Sequence, residues 1–359
     1  MKYALIGCGR IAVNHLIAAK TNKLDIVAVC DIRPEKMDAL LKKSDLDSLP
    51  IKKYTDYKKL IDENPDLNLV AIATESGVHA EIASYVIEHD INTIVEKPIA
   101  MNMDDANKLV ELARKHNVSV SANHQTRFNA SVQELKNALD SGRFGKISHA
   151  TVSVKWFRDE AYYKQAAWRG TWKDDGGTMM NQCIHGVDLL CWLMGSKVDT
   201  VYGVTRQRFH DYIEAEDLAF AIVQFENGLV GTVEGTANVF PENLEEAVYL
   251  FGEKGTVKLG GNSANNIEIW TFADEQPGDD ERMVLKEPAP NVYGHGHVKL
   301  YAEMMDAIKE KRKPYIDIED GKNALEVVLA IYKSMKTGLP VKLPLEHFSC
   351  EDMKGTFGK

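Results

Sequence analysis

Short apolar runs recur through the first third of the chain, at residues 3–6, 26–30, 69–73, 93–95 and 118–121. Stretches with helical spacing of apolar positions separate them, near residues 10–20, 34–43, 77–89 and 103–116. Strands apolar on both faces, alternating with helices, predict a parallel sheet covered on both sides. Asn102 or Asp104 supplies a start for the last of the four, and Pro98 bars helix just before it.

The rhythm changes after about residue 146. Runs at 149–155, 201–208, 218–225, 229–234, 248–251 and 267–272 follow one another with tight turn signals between them. Asn227-Gly228 is a strong hairpin turn, because this pair accepts positive φ at both central positions, and Gly252-Glu253-Lys254-Gly255 is a second. Consecutive hairpins predict an open, largely antiparallel sheet in an α+β domain. Two helices near 298–311 and 322–337 close the chain, and the acidic, proline-bearing segment 274–290 is expected as an exposed loop with a short strand near 283–285. The fold class is therefore α/β: a doubly wound, Rossmann-like parallel-sheet domain over residues 1–123 and an α+β domain over 124–359.

Composition narrows the function classes. With 359 residues, 44% of them hydrophobic, the chain can build two cores. A net charge of −10 argues against broad binding of nucleic acid or an anionic membrane, yet leaves room for a local basic pocket. No apolar stretch approaches the roughly 18 residues of a membrane span. The five cysteines are scattered, with no C-x-x-C pair, and are expected as reduced core residues. A cytoplasmic globular protein is the expectation.

Gly7-Cys8-Gly9-Arg10-Ile11-Ala12 fits G-x-G-x-x-G/A, follows an expected strand and opens an expected helix. Gly7 permits the tight turn, Gly9 lets backbone approach a pyrophosphate, and the helix N-terminus offers N–H groups to phosphate. The next strand ends in Asp31, where a carboxylate accepts ribose hydroxyls and repels a 2′-phosphate, so NAD is favoured over NADP. Two further loops leave strand ends: Thr74 to His79, and Glu96-Lys97-Pro98, whose X-Pro bond is the one type at which a cis peptide is inexpensive and could aim Lys97 into the crevice. An ordinary surface lysine is the competing reading of Lys97.

Between Gly176 and Gly195 there is no lysine or glutamate, yet Asn181, His185 and Asp188 recur at spacings of four and three. Read as a helix, they form one polar stripe on an apolar element and must be satisfied inside the protein or by a ligand. Taken alone, a buried histidine held by backbone is the favoured alternative. Histidine near neutrality suits removal of a hydroxyl proton, and a lysine suits stabilising a developing alkoxide. His295-Gly296-His297 lacks further obvious ligands, so no metal is expected there; these histidines are expected at the start of the next helix.

In order and spacing, the glycine loop, Thr74…His79, Glu96-Lys97-Pro98 and Gly176-Gly177…His185…Asp188 resemble the Gfo/Idh/MocA oxidoreductase family over nearly the whole chain. A narrower stretch, from Lys155 through Arg158, Tyr162, Tyr163, Trp168, Arg169 and Trp172 to His185, resembles the UDP-N-acetylglucosaminuronate 3-dehydrogenases of surface-polysaccharide sugar synthesis. The resemblance implies hydride transfer between a sugar carbinol and NAD, with Lys97 and His185 catalytic. It further implies cofactor contacts from Gly7, Cys8, Gly9, Arg10, Ile11, Asp31, Thr74, His79, Glu96, Lys97, Gln125, Trp168 and Arg169. Asn181 stands where the wider family often has aspartate, which weakens a carboxylate base at this position and assigns Asn181 to orienting the substrate. Asp188 is expected nearer to a structural role. Recycling of NADH by 2-oxoglutarate is a further implication of the subgroup.

Arg158, Arg169 and Lys155, among Tyr162, Tyr163, Trp168 and Trp172, favour an anionic sugar over a plain hexose, since arginine forks suit carboxylate and phosphate. The expected substrate contacts are Lys97, Arg158, Tyr162, Tyr163, Arg169, Asn181 and His185. A dehydrogenase of a free sugar or inositol, and a non-catalytic NAD- and sugar-binding sensor, remain as alternatives. The open sheet face is expected to be covered in a homodimer or homotetramer.

Overall fold

The structure, a computed structural model, describes residues 1–287 and 294–357. It divides into two compact units, Met1–His124 with His297–Lys322, and Gln125–Gly296 with Asn323–Lys359. The sequence suggests a boundary after residue 123 and a continuous second domain over 124–359; the first segment here ends at His124, and the second unit is interrupted. Residues 297–322 return to the first unit, where Leu300, Tyr301 and Met304 are buried, Tyr301 meets the hydroxyl of Tyr3 at 2.9 Å, and Ser121 donates to the carbonyl of Ile316 at 2.7 Å.

Six strands make the sheet of the first unit: β1 (Lys2–Ile6), β2 (Asp25–Cys30), β3 (Lys52–Tyr54), β4 (Leu69–Ile72), β5 (Asn92–Val95) and β6 (Val120–Ala122). Their order is β3-β2-β1-β4-β5-β6 and every pairing is parallel. Helices α1 (Ala12–Thr21), α2 (Pro34–Lys43), α3 (Tyr57–Asp62), α4 (His79–Glu88) and α5 (Met103–His116) connect them. The strand order reverses between β1 and β4, the switch point at which ligands of such sheets bind. β3 and α3 escape the hydrophobic pattern because β3 is a short edge strand, Lys-Lys-Tyr, with no buried residue. Asn102 caps α5 as expected, its side chain accepting the N–H of Asp105 at 2.8 Å.

The second unit contains α6 (Ala130–Asp140), β7 (Ile147–Lys155), the short α7 (Glu160–Tyr163), a π-turn (Met179–Cys183) running into α8 (Ile184–Met194), and β8 (Val198–Arg206). Strands β9 (Leu218–Phe225), β10 (Val230–Thr236), β11 (Glu245–Gly252), β12 (Gly255–Gly260) and β13 (Asn266–Phe272) follow, then α9 (Asp279–Met283). After α10 (Gly296–Glu310), α11 (Ile318–Thr337) and β14 (Val341–Lys342) complete the regular elements, and the boundary between the units falls inside α11. The eight strands take the order β13-β12-β11-β7-β10-β9-β8-β14, and all pairs are antiparallel except β7 with β10. β9 alternates buried and outward residues, leaving Phe220 and Ile222 beside Tyr202 on an exposed face.

Two local expectations are corrected. The turn after β9 has three loop residues, so only its last, Gly228, takes positive φ (+84°) and Asn227 does not. The strand expected near 283–285 is replaced by α9, because Asp279 accepts the N–H of Gln276 and pairs with Arg143, fixing a helical start; the isolated bridge Asn266–Lys286 is the strand-like remnant. Residues 288–290 of that segment lie outside the described residues.

Candidate active site

In the first unit the glycine loop joins β1 to α1 at the switch point. Gly7 has φ +98°, and a Cβ there would lie 2.4 Å from the carbonyl of Ala73, so only glycine fits. A Cβ on Gly9 would meet nothing within 4 Å, which leaves the backbone open to a ligand. Asp31, at the end of β2, accepts the N–H of Cys8 through one carboxylate oxygen and that of Arg33 through the other, both at 2.9 Å. Arg10 is exposed and Ile11 half-buried at the mouth of α1. The motif, the open backbone and the carboxylate thus sit together as the spacing predicted.

The loop bearing Lys97 is anchored from beneath. The Lys97–Pro98 peptide is cis. Glu96 turns its carboxylate inward: Oε1 receives His15 Nε2 at 2.9 Å and the side-chain N–H of Asn123, with His297 Nε2 at 3.5 Å, and Oε2 accepts the backbone N–H of Lys97 at 3.2 Å. The other nitrogen of His15 meets Tyr301 Oη at 2.6 Å. Burial would raise the pKa of Glu96, but the hydrogen bonds from His15 and His297 outweigh it and hold the carboxyl well below its usual range. His79 is likewise spent inside the protein, with Nδ1 2.8 Å from the carbonyl of Pro98 and Nε2 3.2 Å from that of Thr74. Glu96 and His79 therefore brace the two loops, a correction to their expected role as cofactor contacts. Thr74 and Lys97 themselves are half-buried.

Ligand atoms of His15, Glu96 and His297 lie within 4.8 Å of one another, a grouping hidden in the sequence because the three residues are far apart in the chain and His15 carries no signal. The Asn123 N–H points into its middle, 2.9 Å from His297 Nε2, so hydrogen bonds account for the arrangement.

In the second unit the polar stripe comes apart. The π-turn replaces α-helical spacing over Met179–Cys183, a local widening that recurs at functional sites. Asn181, half-buried, donates to the carboxylate of Asp175 and accepts from Gln182 Nε2 at 2.9 Å. His185 follows on the first turn of α8, 6% exposed. Asp188 is fully engaged with Arg127, through Nε at 2.8 Å and Nη2 at 2.6 Å, both side chains buried, so it is structural.

Gln182, given no role by the sequence, links Asn181 to the basic segment. Its Oε1 accepts Arg158 Nε and Nη2 at 3.1 and 2.6 Å, and its Nε2 donates to Tyr162 Oη at 2.9 Å. Arg169 also donates to Tyr162 Oη. The guanidinium carbons of Arg158 and Arg169 lie 4.9 and 4.2 Å from the Tyr162 ring centre, and Arg169 also stacks on Trp168 at 4.6 Å. Asn243 completes the group by accepting Arg158 Nη1 at 3.0 Å. Two expectations change here. Tyr163 is buried against Tyr162, His210 and Tyr212, so it forms a wall behind the cluster, not a contact surface. Lys155 faces Glu234 and Glu245 on the sheet, which satisfies its charge away from the cluster. Gln125, expected beside the cofactor, is 2% exposed in a short 3-10 turn.

Residues 1–124 match a family model described as oxidoreductase family, NAD-binding Rossmann fold, and residues 136–343 match the C-terminal alpha/beta domain of the same GFO_IDH_MocA family. The chain is similar to the WlbA dehydrogenase from Bordetella pertussis, solved in complex with NADH and UDP-GlcNAcA: 33% identity, TM-score 0.85, covering 96% of this chain and 98% of that one. A WlbA dehydrogenase from Chromobacterium violaceum with the same ligands gives 33% identity and TM-score 0.84, covering 96% of each chain. Among curated proteins, the myo-inositol 2-dehydrogenase of Thermotoga maritima is 24% identical over 351 residues, 96% of this chain and 98% of that one.

Proposed function

The chain belongs to the Gfo/Idh/MocA oxidoreductase family and is an NAD-dependent dehydrogenase of sugar-type hydroxyl groups, and from that premise we propose that it oxidises the C3 hydroxyl of a UDP-linked N-acetylhexosaminuronic acid, within the synthesis of surface-polysaccharide sugars. The observation that carries this reading is the pair of guanidiniums, Arg158 and Arg169, flanking Tyr162 and joined through Gln182 to Asn181. Two planar cations on an aromatic ring beside an amide pair suit an anionic sugar far better than a neutral polyol. Similarity at 33% to two proteins solved with UDP-GlcNAcA supports the same class.

The residues present fit a dinucleotide: Gly9 leaves backbone open, Gly7 makes the turn, and Asp31 stands at the strand end where ribose hydroxyls are bound. NAD, when bound, supplies the hydride acceptor. As the carbinol C–H bond breaks with its electron pair, His185 takes the hydroxyl proton and the Lys97 ammonium steadies the charge growing on that oxygen. Asn181 and Gln182 orient the sugar; Arg158 and Arg169 hold its anionic groups. Thr74, Cys8, Arg10, Ile11, Gln125 and Trp168 are proposed around the cofactor. No described helix is long and apolar enough to cross a membrane. The exposed Tyr202, Phe220 and Ile222 favour face-to-face association of the sheet into a homodimer or homotetramer, which sedimentation at micromolar concentration tests.

Similarity to the inositol dehydrogenase keeps a free polyol as the second reading. The test is NADH formation with a panel of UDP-sugars, free hexoses and inositols, repeated with 2-oxoglutarate as a second substrate that reoxidises retained NADH, its reduction to 2-hydroxyglutarate then being the readout. Turnover confined to UDP-uronic acids, abolished by Lys97→Ala, is expected. Turnover confined to free polyols would overturn the reading, and NAD binding without turnover on any substrate would favour a sensor.

A further inference from the structure

Glu216 is fully buried in the second unit, directly behind the turn that opens the π-segment. Its Oε1 accepts the backbone N–H of Met179 at 2.6 Å and lies 3.0 Å from the hydroxyl of Tyr332. The Tyr332 hydroxyl also lies 2.5 Å from the carbonyl of Gly176 and accepts the N–H of Met180 at 3.2 Å. The other carboxyl oxygen, Oε2, presses on Gly177, where φ is +89° and a Cβ would sit 1.7 Å away. Among the described residues Oε2 has no hydrogen-bond partner. The double glycine is thus shaped around this one carboxyl group.

We infer that Glu216 is a positioning residue for the reaction, its carboxyl group clamping the Gly176–Gly177 turn so that the π-turn presents Asn181 and Gln182 to the sugar. The inference rests on the reading of that site as the sugar-binding part of a dehydrogenase. Asn181 is held from one side by Asp175, whose carboxylate also accepts the N–H of Gly170 at 2.7 Å, and the turn between Asp175 and Asn181 is fixed by Glu216 from the other. Two carboxyl groups bracket five residues, and they serve only if they do not repel one another. Burial raises the Glu216 pKa to about 8, and the charge of Asp175 adds to the effect. Tyr163, Tyr332 and Cys350, the other titratable groups against it, are all pushed upward by burial and stay protonated. Glu216 is therefore a neutral acid at pH 7, and ionisation beside Asp175 loosens the turn.

Kinetics of Glu216→Gln and Glu216→Leu across pH 6–9.5 test this, on whichever substrate of the panel turns over, together with infrared detection of the protonated carboxyl carbonyl without substrate. The Gln variant keeps the shape of the neutral acid. It is expected to retain kcat and KM within about twofold at pH 7 and to lack the part of the wild-type loss of activity that sets in as pH rises through 8. The Leu variant, which cannot hold Met179 or Tyr332, is expected to raise the sugar KM at least tenfold with the KM for NAD unchanged. A carbonyl band present at pH 6.5, lost by pH 9.5 and absent from Glu216→Gln would support the neutral acid even if no UDP-sugar were a substrate. Equal damage from Gln and Leu, an unchanged sugar KM in the Leu variant, or no such band at pH 6.5 would overturn the inference.

Discussion

Glu96 and Glu216 are both buried glutamates behind a loop with a proposed function, one in each unit, and they are held in opposite charge states. Glu96 meets two imidazoles and an amide N–H, so the hydrogen bonds it accepts overcome the desolvation cost and keep it ionised. Glu216 meets one backbone N–H and one phenol, with another carboxylate nearby, and desolvation prevails. Burial alone therefore does not set protonation; the number and charge of the donors does. The difference suits the tasks. The Glu96 carboxylate gathers donors from α1, α10, the Lys97 backbone and the chain after β6, while the neutral Glu216 packs against a glycine turn without charging it.

The same substitution should act with opposite sign at the two sites. Glu96→Gln removes the charge that His15, His297 and Asn123 converge on. We expect a loss of about 3–5 kcal/mol in urea unfolding at pH 7, since one partner of a buried charged network is neutralised. An unchanged unfolding midpoint would break the comparison.

Glu216→Gln should stabilise. The folded pKa, about 8, lies above the ordinary value of 4.5, so the proton is bound more tightly in the folded state. Stability from that group is fully present below pH 4.5 and is lost as pH rises to about 8. The variant's advantage over wild type should therefore be absent at pH 4.5 and grow to about 1–3 kcal/mol at pH 8, under the ceiling of roughly 1.4 kcal/mol per pH unit. Thermal midpoints measured across that window would show it. For Glu96, whose folded pKa is depressed, the sign reverses: its contribution is present above the ordinary range and lost as pH falls below it.

A smaller effect sharpens the contrast between loop support and ligand contact. Tyr162→Phe deletes the hydroxyl that Gln182 and Arg169 share, and about 1 kcal/mol of stability should go with it. The sugar KM should rise more than the KM for NAD, because Tyr162 is proposed as a sugar contact while the cofactor rests mainly on Gly7, Gly9 and Asp31 of the first unit. A matching rise in both constants would mean that the cluster does more than hold sugar.

Much of this molecule was legible because the signals are local. The glycine loop, Asp31 and the Lys97-Pro98 step carry their meaning in short spacings next to strand ends, and they lie where those spacings predict. Asp188 was read toward structure, and its fork with Arg127 gives the reason. Gln182 was overlooked because an amide next to Asn181 in a helical pattern looks like filler; the π-turn shows it to be the link to Arg158. His15 sat among apolar residues of α1 with nothing nearby to pair with. In Glu214-Ala215-Glu216-Asp217 nothing in the spacing separates the buried Glu216 and Asp217 from the exposed Glu214.

The sequence by itself determined the two sheets and the glycine loop, because periodicity and backbone-dictated glycines act over a few residues. The lysine and histidine proposed for catalysis came from it only through the family resemblance. Tertiary structure alone decided that residues 297–322 complete the first unit, and that His15, Glu96 and His297 converge. It also decided which buried glutamate is charged. A pKa is set by every donor and charge within a few ångströms, and the chain brings those together from positions as distant as 15 and 297 or 179 and 332.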